Sequence, residues 1–265
     1  MSTPASDITD SVGLSHDEAM VLQTTELHRT VELLRSLDDA DWSMQTECPD
    51  WDVRRMYLHV LGACEAAASI KENVHQMRAA KRYQKSDGGP LEAGLSAVQV
   101  RERLKLAPRE LVERLTAIAP VTIRKRTKMP ALLRRLRMKV DGPVVETWPL
   151  GYLIDTIYLR DLWMHRVDVT RTTGRELVLN ADHDGRIVAD VVAEWARRHG
   201  QPFTLQLTGA AGSTYTSTGS VSAGGTAGNV GTSSVAALEL DAVEFCRVLA
   251  GRADATGLLT TIVPF

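Results

Sequence analysis

Aromatic residues make up only 5% of this 265-residue chain. The core must therefore be filled by leucine, valine, alanine and methionine, which suits helices packed face to face and disfavours an all-β sandwich. Cysteine is equally scarce. Cys48, Cys64 and Cys246 are odd in number and too widely spaced for a disulfide framework or a Cys-x-x-Cys metal site, and they point to a reducing cytoplasm. Neither sign of charge dominates: 31 basic side chains stand against 33 acidic ones, for a net charge of −2. No global field draws the chain onto nucleic acid or a membrane. Long apolar runs are missing too, and none approaches the roughly 18 to 20 residues a membrane helix requires. The first residues are rich in Ser, Thr and Asp and lack both the basic start and the apolar run of a signal peptide, so 1–14 read as a flexible leader.

What is present is mostly helical pattern. Met20, Leu27, Val31 and Leu34 recur at helical steps across His16 to Leu37. Cys48-Pro49-Asp50-Trp51-Asp52 reads as a turn, with Asp52 placed to cap a second, long helix. That helix carries an apolar row through Met56, Ala63, Ala66 and Ile70, into which His59 intrudes. A third helix, in one piece or two, is expected from Leu95 to Ile118, with Pro108 well placed in a first turn. The segment from Arg124 to Lys139 holds no acidic residue and reads as an exposed basic loop. Arg134, Arg135 and Arg137 would hold a substrate carboxylate there if they curl over the mouth of the helices. Leu150 to Thr170 is apolar on nearly every side, which marks a buried fourth helix, ended by Gly174. The character then changes to a helix from Asp184 to His199, strands near Phe203–Leu207, Tyr215 and Val235–Leu240, a helix capped by Asp241, and a last strand over Leu258–Phe265. The stretch Gly209 to Val235 lacks the ending of a phosphate loop and reads as a hairpin followed by a flexible loop near Ser220–Ser234. The fold expected is an α+β two-domain chain, with a four-helix unit over 15–174 and a small α+β unit over 175–265.

Within the fourth helix Asp161 and His165 stand four residues apart, so both project from one face with Cβ atoms about 5 to 6 Å apart. They share a stripe with Asp168, Ile154 and Ile157, which points the polar groups toward the buried side. Burying such groups without partners costs several kcal/mol. His59 is the natural third member if its helix faces this one. Two neutral histidines and a carboxylate leave a divalent ion with open positions, as in a catalytic site. The spacing alone also describes a satisfied core His–Asp pair, since His28 and Glu32 show the same step at the edge of the first helix. The cysteines read as buried small hydrophobes, none having a histidine near it in sequence.

Three motifs together resemble a known family. They are Cys48-Pro49-Asp50-Trp51-Asp52-Val53-Arg54-Arg55 with His59 eight residues after the tryptophan, Arg160-Asp161-Leu162-Trp163-Met164-His165-Arg166-Val167-Asp168, and the C-terminal stretches Leu207–Tyr215, Leu240–Arg252 and Val263-Pro264-Phe265. In this combination the chain resembles the mycothiol-dependent maleylpyruvate isomerase family of actinobacteria, part of the DinB-like metal-binding superfamily. The resemblance implies a DinB-like four-helix bundle followed by a small α+β C-terminal domain. It implies a divalent metal, zinc by expectation, at His59, Asp161 and His165. Asp168, which stands three residues from both His165 and Arg171, reads separately as a partner of Arg171 or as a group that orients His165. The acid in the namesake isomerase is a glutamate, so Asp161 reaches one methylene less far. The resemblance further implies mycothiol as thiol cosubstrate, activated by the metal for attack on a small electrophile in an isomerase or S-transferase. Two alternatives stay open at this point: a metal-dependent hydrolase of a small substrate, and a non-catalytic binding protein with a structural His–Asp pair.

Overall fold

The structure is a computed structural model that describes residues 6–8, 13–141, 145–219 and 235–265. Its elements begin with β1 (Ser6–Asp7), α1 (His16–Arg35), α2 (Val53–Ala68), α3 (Ile70–Asp87), α4 (Leu91–Arg101) and α5 (Pro108–Thr127). They continue with α6 (Ala131–Arg134), β2 (Arg137–Asp141), β3 (Val145–Pro149), α7 (Leu150–Tyr152), a π-helical turn Leu153–Ile157, and α8 (Tyr158–Thr173). A second π-helical turn, Ala181–Gly185, leads into α9 (Arg186–His199), β4 (Phe203–Thr208), β5 (Thr214–Ser217), β6 (Ala236–Asp241) and α10 (Ala242–Leu249). Among the described residues the arrangement is α+β, mostly helical with two small sheets. Two compact units divide the chain, one over Ser15–Leu177 and the other combining Val178–Phe265 with the described residues before Ser15.

In the first unit α2 packs on α5 and α8, and α1 packs on the same two helices. A capping box opens α1: the Ser15 hydroxyl accepts from the Glu18 amide at 3.3 Å, and the Glu18 carboxylate accepts from the Ser15 amide at 3.4 Å. Met20, Leu27, Val31 and Leu34 are buried on one face, as their spacing requires. The long second helix expected from the sequence is two helices. Ser69 leaves the helix with φ −136° and its hydroxyl accepts from the Glu72 amide, so one residue ends α2 and caps α3. A serine satisfies a free helix start better than it fills a helix interior. Between α1 and α8 the buried Arg166 guanidinium donates to Glu26 at 2.5 Å, an ion pair tying the two helices together.

The basic segment is not the exposed loop expected. α5 continues to Thr127, and β2 pairs antiparallel with β3, Met138 opposite Trp148. Arg137 and Lys139 face outward while Val140 is buried, a period-two pattern that the count of cations conceals. α8 is buried along most of its length and stops at Gly174, whose φ of +67° a side chain resists.

In the second unit the sheet order is β1-β5-β4-β6, with β5 antiparallel to β4 and β6 parallel to it. Phe203, Leu205 and Leu207 face the core beneath α9 and α10, where the Trp195 ring meets those of Phe203 and Phe245. Gly212 closes the β4–β5 hairpin where a Cβ would fall 2.2 Å from the Leu207 carbonyl. Ser6 and Asp7 pair in parallel with Tyr215 and Thr216. That departs from a flexible leader, since two polar residues are too short for any strand pattern to register. The last strand expected over Leu258–Phe265 is absent from the described residues. Gly257–Thr260 form a 3₁₀ turn, and the Leu258 carbonyl accepts from the Trp195 indole at 3.0 Å, occupying a group a ladder would need. The loop expected at Ser220–Ser234 lies outside the described residues. Among the described residues no helix is long and apolar enough to cross a membrane.

Candidate metal centre

The turn before α2 is built by two polar side chains. The Gln45 amide donates to the carbonyls of Cys48 and Trp51, and the Thr46 hydroxyl donates to Trp51 at 2.6 Å. Asp52 then caps α2 by accepting from the Arg55 amide at 2.7 Å. This geometry lays the Trp51 ring over His59 with centroids 4.8 Å apart, and sets it edge-on to His165 with centroids 6.0 Å apart. α8 delivers Asp161, His165 and Asp168 from the facing side.

The carboxylate of Asp161 lies between the two imidazoles. One of its oxygens is 3.2 Å from Nε2 of His165, and the other is 3.9 Å from Nε2 of His59. One donor atom from each of the three residues falls within 4.8 Å of the others. On the far side of His165, Asp168 is fully buried and stands 3.5 Å from Nδ1. Both ring nitrogens of His165 and Nδ1 of His59 are buried without an aligned hydrogen-bond partner; the 3.2 Å approach of Asp161 is an ion-pair contact out of line for N–H donation. Burial holds the pKa of His59 down, only partly offset by Asp161. Burial also opposes charge on His165, but Asp161 and Asp168 outweigh it and push that imidazole up to about 9. One histidine is therefore neutral at pH 7 and the other protonated.

These residues fit a divalent ion. A tetrahedral ion with bonds near 2 Å holds its donors roughly 3.3 Å apart, close to the 3.2 and 3.9 Å found here. The orphaned Nε2 of His165 is a nitrogen that a metal would satisfy.

The family model described as the mycothiol maleylpyruvate isomerase N-terminal domain matches residues 24–170. The chain belongs to this family. Crystal structures of the mycothiol-dependent maleylpyruvate isomerase, and of a histidine-to-alanine mutant of it, share its fold. Each aligns with a TM-score of 0.55 at 14% identity, over 94% of this chain and 92% of the other. No curated protein matches the chain in sequence.

Two expectations need correction in this member of the mycothiol maleylpyruvate isomerase family. Arg134, Arg135 and Arg137 do not gather as a carboxylate clamp. Arg134 reaches Asp155 at 3.5 Å, Arg135 is exposed, and Arg137 points outward from β2. Asp168 stands 3.5 Å from Nδ1 of His165, and Arg171 pairs with Glu47 at 3.1 Å. Cys48 is not remote from histidine: its Sγ lies 3.9 Å from Asp168, and it groups with His165 and Asp168. Sequence distance hid this contact, which spans 120 residues. Trp51 stood in the motif without a role, and stacking on His59 gives it one. Gln99 was missed. It stands by His59 and favours the charged imidazole, and its amide donates to Gln76 at 3.0 Å.

Proposed function

We propose that this protein holds a divalent metal, zinc by its donor set, at His59, Asp161 and His165, and uses it with mycothiol as an isomerase or S-transferase acting on a small electrophile. The observation that carries this reading is the convergence of two imidazoles and a carboxylate around buried ring nitrogens that have no aligned protein partner. A metal held there supplies the positive charge that lowers a thiol's pKa and presents a thiolate at neutral pH.

The chain's own residues prepare that site. Asp168 lies beside Nδ1 of His165 and orients the ring, which leaves Nε2 directed at Asp161. Trp51 covers one face of His59 and keeps water from it. Asp161 retains 29% side-chain exposure, so the approach to the site is from its side. Binding as a ligand requires His165 to give up the proton its two carboxylates hold. The same reading takes α1, α2, α5 and α8 as a DinB-like four-helix bundle within a domain over 15–174, followed by an α+β domain over 175–265. A cytoplasmic location belongs with it, because a thiol cosubstrate needs a reducing compartment.

The test is metal content of protein purified without chelator, followed by mycothiol-dependent loss of an electrophile such as an epoxide or a chlorinated aromatic. About one equivalent of metal is expected, with turnover abolished in folded His59→Ala and His165→Ala variants. Less than about a tenth of an equivalent, or turnover that ignores both substitutions, would overturn the proposal.

A further inference from the structure

Beside the proposed metal centre lies a cavity of about 300 Å³ bounded by α2, α3, α4, α5 and the start of α8. One wall is the alanine row Ala63, Ala66 and Ala67 of α2, with Ile154 and Tyr158 opposite. Among the described residues none of its lining side chains is acidic, and two, Lys125 and Arg126, are basic.

Arg126 is the unusual member. It is 6% exposed, yet no carboxylate stands within ion-pair distance of it among the described residues. Its Nη1 donates to the Gln23 side chain at 2.7 Å, and its guanidinium lies 4.2 Å from the centre of the Tyr158 ring. Its Nε is buried with no hydrogen-bond partner. The nearby Asp155 is engaged elsewhere, by His16 at 2.7 Å and by Arg134. A buried guanidinium without a counter-charge is costly, and an amide with a ring face compensates only part of that cost. A carboxylate entering the cavity would complete the set with charge-assisted hydrogen bonds.

We infer that this cavity is a binding site for a small organic monocarboxylate, anchored on Arg126 with its apolar body along the alanine row of α2. One buried cation calls for one carboxylate, and the alanines give the rest of the molecule an apolar wall. Ala63 follows His59 by one helical turn and Tyr158 precedes Asp161 by nearly one, so the body of a ligand held at Arg126 lies beside the proposed metal ligands. That the ligand is the electrophile itself rests on the proposed metal–thiol function; the binding does not.

The experiment is isothermal titration of benzoate, with benzamide as its neutral isostere, into the full chain with and without zinc. Benzoate should bind in both states, and benzamide at least tenfold more weakly. Arg126→Gln should weaken benzoate at least tenfold while circular dichroism stays as in the wild type. If that variant does not fold, Ala67→Phe, which fills the cavity from a partly exposed position, should abolish benzoate binding instead. Benzoate binding that survives these substitutions, that is absent at millimolar concentration, or that vanishes when metal is removed would overturn the assignment; in the last case the carboxylate sits on the metal. Binding retained in a protein that takes up no metal would leave the cavity standing and the metal–thiol function refuted.

Discussion

Raising the pH from 7 to 9 should tighten zinc binding to the metal-free protein by about fiftyfold. The perturbation acts on His165, whose imidazole is desolvated but faces Asp161 on one side and Asp168 on the other, so that its pKa is pushed up to about 9. A histidine must be neutral to bind a metal, and each pH unit below its pKa weakens apparent binding tenfold. Two units correspond to about 3 kcal/mol at pH 7. His59 adds nothing to this dependence, since burial holds its pKa down and it is already neutral. Titration calorimetry in two buffers of different ionisation enthalpy should therefore report about one proton released per zinc at pH 7, about half a proton at pH 9, and almost none by about pH 10. Without metal the sign reverses for stability. A histidine whose folded pKa is raised stabilises fully below its unfolded value of about 6.5, and that contribution is lost as pH rises through 9. Asp168→Asn should flatten both profiles by removing one of the two carboxylates that hold the proton. Zinc affinity independent of pH between 7 and 9, or no proton release at pH 7, would refute the reasoning.

Three further outcomes follow from other parts of the molecule. Glu26→Ala removes the buried Arg166–Glu26 ion pair and should cost about 3 to 5 kcal/mol in urea unfolding; a loss under about 1 kcal/mol would mean that the pair does not tie α1 to α8. Burial lowers the pKa of His199, and its Nδ1 accepts from the Gln201 amide at 2.9 Å. Its stabilisation is therefore complete above pH ~6.5 and lost as pH falls, and His199→Phe should remove that part of the slope of Tm against pH. Gln99→Leu should weaken zinc binding about ten- to a hundredfold through His59 with the fold intact, and unchanged affinity by chelator competition would show that Gln99 only fills space.

What could be read in advance, and what could not, divides along one physical line. Periodicity reports a face, so the buried row of α1 and the near-total burial of α8 were legible in the spacing of their apolar residues. Caps report local hydrogen bonds, so Asp52 and Asp241 were legible as helix starts. The pair Asp161 and His165 was legible because one helix turn fixes their separation. Contacts between distant segments carry no such rule. Cys48 comes to Asp168 across 120 positions and Arg126 to Gln23 across 103, and no local pattern announces either. The basic segment shows how this misleads. Its cations looked alike as letters, and the ones chosen as carboxylate holders, Arg134, Arg135 and Arg137, lie on a short helix, its end and an outward-facing strand position. Arg126 belongs to the same run, but it falls on the inner face of α5, where the helix is closed over by Tyr158 and Gln23. Burial, not composition, separates a cation that water neutralises from one that waits for an anion. In a run of like charges, then, the residue to test for ligand binding is the one whose helical phase matches the apolar stripe. In α5 Arg126 shares that phase with the buried Leu111, Leu115 and Thr122, falling eleven residues after Leu115 and four after Thr122.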